Sequence, residues 1–64
     1  MLVLELERRK RNLSLSGFSR LSGVDKGTLS KLEHKKLVPY PGHVKKLAAA
    51  LNWSKDPAEL FQEV

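Results

Sequence analysis

Apolar residues recur along the chain mainly at i, i+3 and i+4. Period-two alternation reaches a useful length only at Leu2–Leu6 (L-V-L-E-L), which is too short and too rich in Glu and Leu for a strand. The pattern predicts an all-α fold. Helix one is expected from about Val3 to Arg11, with its apolar residues early and the block Arg8-Arg9-Lys10-Arg11 late, where cations suit the negative end of the helix dipole. Asn12 tolerates the left-handed conformation that stops a helix, and Leu13 anchors the turn. Ser14 is the expected N-cap of helix two, Leu15–Ser22, whose inward face carries Leu15, Phe18, Ser19 and Ser22.

The turn that follows is only Gly23-Val24-Asp25. Gly23 supplies positive φ, Val24 plugs inward and Asp25 caps helix three, Lys26–His34. At 100° per residue, Leu29 and Leu32 share one side of that helix, while Gly27 and Lys31 point away, flanked by Thr28, Ser30 and His34. A loop over residues 35–40 leads to Pro41, which suits a first helical position because its missing N–H has no partner there anyway. Val44, Leu47, Ala48 and Leu51 then give helix four its apolar stripe, with Lys45 and Lys46 outside it. Asp56-Pro57-Ala58-Glu59 reads as a capping box that opens a fifth short helix carrying Leu60 and Phe61, with Val64 beyond them.

Composition narrows the class. The chain has 64 residues, and a second domain would leave each about 30 residues, too few for a core, so residues 1–64 are expected to form one domain. There is no cysteine, and His34 and His43 lie nine apart, so neither a disulfide nor a metal site is expected. No phosphate-binding glycine loop and no nucleophile–base motif occurs, so an enzyme and a bound cofactor are not expected. No apolar run approaches the roughly 18 residues of a membrane span, and the opening MLVLELERRK reverses the order of a signal peptide. The expectation is a soluble cytoplasmic protein with neither membrane nor small-molecule partner.

The net charge of +5 is unevenly placed. Residues 8–46 hold eleven Lys or Arg against two acids, Asp25 and Glu33, a local +9 between flanks of −2 each. A basic middle between acidic ends suggests a surface that faces a polyanion.

Two helices joined by a three-residue turn, the second presenting small and basic side chains outward, form a helix-turn-helix arrangement. The major groove of B-DNA, about 12 Å wide, admits one helix. Lys26, Thr28 and Lys31 can then reach base edges, and Gly27 lets the backbone approach closely. Lys26 is notable because a cation in a first turn opposes the dipole by ~0.3–1 kcal/mol unless Asp25 offsets it.

The run Leu13–Ser54 resembles the phage-repressor type of helix-turn-helix domain, the Cro and xenobiotic-response-element family. The matching features are Leu13-Ser14, Ser22-Gly23-Val24, Thr28-Leu29-Ser30-Lys31-Leu32-Glu33, Pro39, and the Leu-Ala-x-Ala-Leu of Leu47–Leu51. The resemblance implies a compact five-helix bundle of the lambda-repressor-like kind. It further implies a small repressor that binds palindromic operator DNA as a homodimer, on the nucleoid, with the third helix in the major groove.

By position, Lys26, Gly27, Thr28 and Lys31 match that family's base-reading sites. Leu15, Ser16, His34, Lys35, Lys36 and Tyr40 match sites that contact phosphate. The sequence departs from the family at two of these. Leu15 stands where a glutamine often touches DNA, so backbone amides must replace that contact. Lys35 stands where glycine is common, which adds charge at the cost of backbone strain. Trp53, Leu60, Phe61 and Val64 are candidates for the apolar dimer contact. A second reading of the same fold is a protein-interaction module, such as an antitoxin or a coactivator-like adaptor, whose basic face binds an acidic protein.

Overall fold

Caps and turns chosen by local chemistry define the helices. The computed structural model describes residues 1–64 and contains α1 (Val3–Lys10), α2 (Leu15–Ser22), α3 (Lys26–Glu33) and α4 (Pro41–Ala50), followed by a 3-10 helix at Pro57–Phe61. Ser14 Oγ accepts the amide of Gly17 at 2.9 Å, and Asp25 Oδ2 accepts those of Gly27 and Thr28 at 2.9 and 3.3 Å. Pro41 occupies the first turn of α4. α1 and α3 each end one residue earlier than their apolar pattern predicts, because Arg11 and His34 serve as C-caps.

Three helices stop in the same way. Asn12, Lys35 and Asn52 take positive φ of 57°, 60° and 53°. The residue after each donates back over the last turn: Leu13 to Arg8 O at 3.2 Å, Lys36 to Lys31 O at 2.8 Å and Trp53 to Ala48 O at 2.9 Å. These are Schellman closures, with Asn or Lys where glycine is commoner. Gly23, at φ 78°, ends α2 and donates its amide to Ser19 O at 2.8 Å.

The five-helix bundle is corrected to four α-helices and a 3-10 helix. Only five residues separate the Asp56 cap from Gln62, whose backbone is extended and accepts from Val3 N at 2.9 Å. That leaves no length for an α-helix, and the tighter 3-10 pattern takes its place. Asp56 Oδ1 accepts from Ala58 N at 3.0 Å, while the amide of Glu59 goes to the Asp56 backbone carbonyl at 3.0 Å, so Asp56 caps the element but the expected capping box, which would take the Glu59 amide on the side chain, does not form. Leu2, outside α1, makes a single antiparallel bridge with Glu63, and Val64 N donates to Met1 O at 2.9 Å. The alternation at Leu2–Leu6 thus belongs to a short extended entry and a helix.

One cluster of ten buried side chains forms the core: Leu2, Leu4, Phe18, Val24, Leu29, Leu32, Leu47, Ala48, Leu51 and Leu60. Leucines dominate it, and each fully buried one contributes about 1.5–3 kcal/mol relative to exposure. α2 packs on α3 and α4, while the 3-10 helix packs on α1 and α4. Leu60, proposed from sequence as a dimer contact, is corrected to a core residue, because it is fully enclosed between these elements. No helix is long and apolar enough to cross a membrane.

Candidate nucleic-acid interface

Burial orients α3. Leu29, Leu32 and Glu33 face inward, whereas Lys26, Gly27, Lys31 and His34 are exposed, with Thr28 and Ser30 half-buried at the margin. Neither Lys26 nor Lys31 makes an ion pair, so both ammonium groups stand free on the outer face. Gly27 has a structural reason beyond close approach. A Cβ there would lie 3.0 Å from Asp25 Oδ2, against the carboxylate that caps the helix.

The residues expected to touch phosphate divide. Leu15 is half-buried and packs on the core, so its side chain is committed inward. Ser16 is half-buried at the start of α2, where Ser14 Oγ takes the amide of Gly17 and the amides of Leu15 and Ser16 remain without acceptors. The ring Nδ1–H of His34 donates to Ser30 O at 2.7 Å, which turns the other ring nitrogen away from the helix. Lys36 is exposed and unpaired, and Tyr40, also exposed, caps α4 with its ring 5.6 Å from that of His43. Lys35 differs from these: its ammonium is bonded to Glu63, which also lies 3.5 Å from the Met1 ammonium.

Much of the basic middle is spent inside the molecule. Arg9 pairs with Glu5 at 2.6 Å, and Lys10 and Arg11 pair with Glu7 at 3.4 and 2.7 Å. Hydrogen bonding from Arg11, with help from Lys10, holds the Glu7 carboxyl below the ordinary glutamate range. Arg11 also donates to Leu51 O at 3.0 Å, closing the end of α4. Within residues 8–46 the cations left unpaired are Arg20, Lys26, Lys31, Lys36, Lys45 and Lys46.

The sequence reading missed the contact that fixes α3. Arg8 Nε and Nη2 grip the Glu33 carboxylate at 2.7 and 3.1 Å, and Nη1 donates to Leu13 O at 2.8 Å. The Glu33 side chain is 2% exposed and that of Arg8 11%. Hydrogen bonding to Glu33 raises the Arg8 guanidinium above its ordinary range, so it stays charged. A signal was present: Glu33 lies four residues after Leu29, on the apolar stripe, and an acid there requires an internal cation.

Of the remaining dimer candidates, Trp53 is half-buried and its ring N–H donates to Asp56 O at 3.0 Å, with the Lys55 ammonium 5.5 Å over the ring. Phe61 is half-buried against the core, and Val64 is exposed. Phe61 and Pro39 also line two adjoining surface grooves, one of which includes the exposed Val38. No group of three or more His, Asp or Glu side chains converges as a metal-binding set.

A short glycine turn holding two helices, with the second helix's inner face fixed and its outer face basic, defines a helix-turn-helix protein. A family model described as helix-turn-helix matches residues 4–57, and the chain belongs to that family, the Cro/C1, xenobiotic-response-element-like type. Its members are regulators that bind double-stranded DNA and are not typically enzymes. Searches of curated proteins and of solved structures each returned no match.

Proposed function

We propose that this protein is a sequence-specific transcriptional regulator, acting as a small repressor, that inserts α3 into the major groove of its operator. The observation that carries this reading is the pair of free ammonium groups, Lys26 and Lys31, on a helix whose opposite side is locked into the core. Lys26, Thr28 and Lys31 read base edges, and Gly27 keeps the backbone close to them. Lys36, Tyr40, His34 and the free amides of Leu15 and Ser16 hold phosphates, which sets register without reading sequence. Lys35 joins them only when it leaves Glu63.

One recognition helix covers few base pairs, so the protein acts as a homodimer on a palindromic site with half-sites about one helical turn apart. Phe61, Val64 and Trp53 are the contacts this reading uses, with Val38 beside Phe61 across the groove. Such a protein works on the nucleoid, in the cytoplasm.

The test is selection of bound duplexes from random DNA, followed by titration of the selected duplex at several salt concentrations. Six unpaired cations set the expected steepness: a log–log slope no steeper than about −5 per protomer. Failure to bind any duplex at low salt refutes the reading and leaves the protein-interaction alternative.

A further inference from the structure

Lys35 occupies a strained position for an unusual purpose. As the left-handed residue that closes α3, with φ 60°, it adopts a backbone conformation that costs any residue but glycine free energy. Its side chain then reaches back to Glu63, 28 positions later in the chain. Glu63 is the centre of a small junction. It bridges to Leu2 through the backbone, stands 3.5 Å from the Met1 ammonium, and takes a hydrogen bond from Lys35. That hydrogen bond, with the neighbouring positive charges, holds its carboxyl below the ordinary glutamate range. Lys36, the next residue, has no such partner. Two adjacent lysines at the end of the recognition helix are therefore in different electrostatic states.

We propose that Glu63 is an internal competitor for phosphate: its carboxylate occupies Lys35 in the free protein and must be displaced before Lys35 can hold the DNA backbone. The inference rests on the DNA-binding reading above. A carboxylate and a phosphate oxygen offer the ammonium the same kind of charge-assisted hydrogen bond, so one excludes the other at a single lysine. The pair is solvent-exposed on both sides and therefore weak, but while Glu63 holds Lys35 the complex forms with one phosphate contact fewer and a modestly lower affinity. The chain ends, held together at Glu63, thereby set how many phosphates the recognition face engages.

The experiment is a double-mutant cycle on full-length protein with the selected duplex, using Glu63→Gln, Lys35→Gln and the double variant. Melting of each, followed by far-UV circular dichroism, checks the fold. Glu63→Gln is expected to tighten binding about two- to five-fold, the range an exposed ion pair commands, and to steepen the salt slope by about one. In the Lys35→Gln background both effects should vanish. Glu63→Asp, which keeps the net charge but withdraws the carboxylate by one methylene, should shift affinity the same way by less, and it carries the test if Glu63→Gln melts low.

Unchanged affinity in both position-63 variants overturns the proposal. So does a gain of the same size with and without Lys35, which would report net charge alone. Absence of salt-dependent binding by the wild-type protein overturns the DNA-binding reading itself, and so is separable from failure of this inference.

Discussion

Replacing Arg8 by methionine should cost more stability than any other single change outside the leucine core. The substitution keeps most of the side-chain volume and removes the guanidinium, leaving a Glu33 carboxylate that is 2% exposed without the two hydrogen bonds, at 2.7 and 3.1 Å, that satisfied it. Breaking one partner of a buried pair typically costs about 3–5 kcal/mol. At 0.05–0.15 kcal/mol per residue, a 64-residue chain has roughly 3–10 kcal/mol in all, so Arg8→Met should remove about a third of that margin at the least and all of it at the most.

The double variant Arg8→Met, Glu33→Leu removes both charges and should recover to within about 1–2 kcal/mol of wild type, because a buried pair is often no better than an apolar replacement of similar size. What it does not recover is the bond to Leu13 O, at 2.8 Å, and Leu13 is only half-buried, so water can substitute. The assay is urea unfolding of the two single variants and the double, read by far-UV circular dichroism and by Trp53 fluorescence, with the slopes compared to confirm a common unfolded state. A loss below about 1 kcal/mol in Arg8→Met would refute the argument, since it would mean the carboxylate reaches water or another partner.

Lys31→Ala should relax base preference at a cost of about 1–3 kcal/mol on the selected site, whereas Lys36→Ala should weaken all duplexes alike and flatten the salt slope by about one. Identical behaviour of the two in competition binding would refute the division into reader and anchor. Gly23→Ala should lower stability by about 1–2 kcal/mol, measured by thermal melting. The new methyl group meets no atom within 4 Å, so the cost is the positive φ of 78° alone, and an unchanged melting temperature would contradict it.

In acid, the depressed Glu7 carboxyl works in one direction. Its contribution is complete above the unfolded glutamate value of about 4.3 and is lost as pH falls through the lower folded value. Glu7→Gln should therefore be less stable than wild type at pH 7, with the gap closing in urea titrations as pH falls below the ordinary glutamate range, and a gap that does not narrow in acid would show that the effect is not ionic.

What could be read in advance, and what could not, separates by sequence distance. The caps at Ser14, Asp25 and Asp56 and the positive φ of Asn12 and Gly23 depend on residues within three positions, and residue type alone indicates them. The strain expected at Lys35 came from the family resemblance, in which glycine is common at that position, and its φ of 60° agrees. The contacts that escaped are the distant ones. Arg8 and Glu33 are 25 positions apart, Arg11 and Leu51 are 40 apart, and Lys35 and Glu63 are 28 apart. Leu60 was ambiguous for a different reason, since five residues of 3-10 helix contain too little periodicity to tell a core position from an interface position.

Those distant contacts also change what the charge means. A local excess of +9 counts Arg8, Arg9, Lys10 and Arg11 as though they faced a partner, but all four are paired, to Glu33, to Glu5 and, for Lys10 and Arg11 together, to Glu7, and Arg8 and Arg11 also bond the backbone carbonyls of Leu13 and Leu51. Their positive charge contributes to the long-range field that draws the protein toward a polyanion, whereas a close contact by Arg8 or Arg11 would require breaking bonds that hold α1 to the rest, and Arg9 and Lys10 are paired only within α1, at the surface. The cations that can bind closely without that cost lie elsewhere: Lys26 and Lys31 on α3, Lys36 just after it, Arg20 on α2, and Lys45 and Lys46 on α4. α1 thus acts as a brace, and Glu33 is where the brace grips α3.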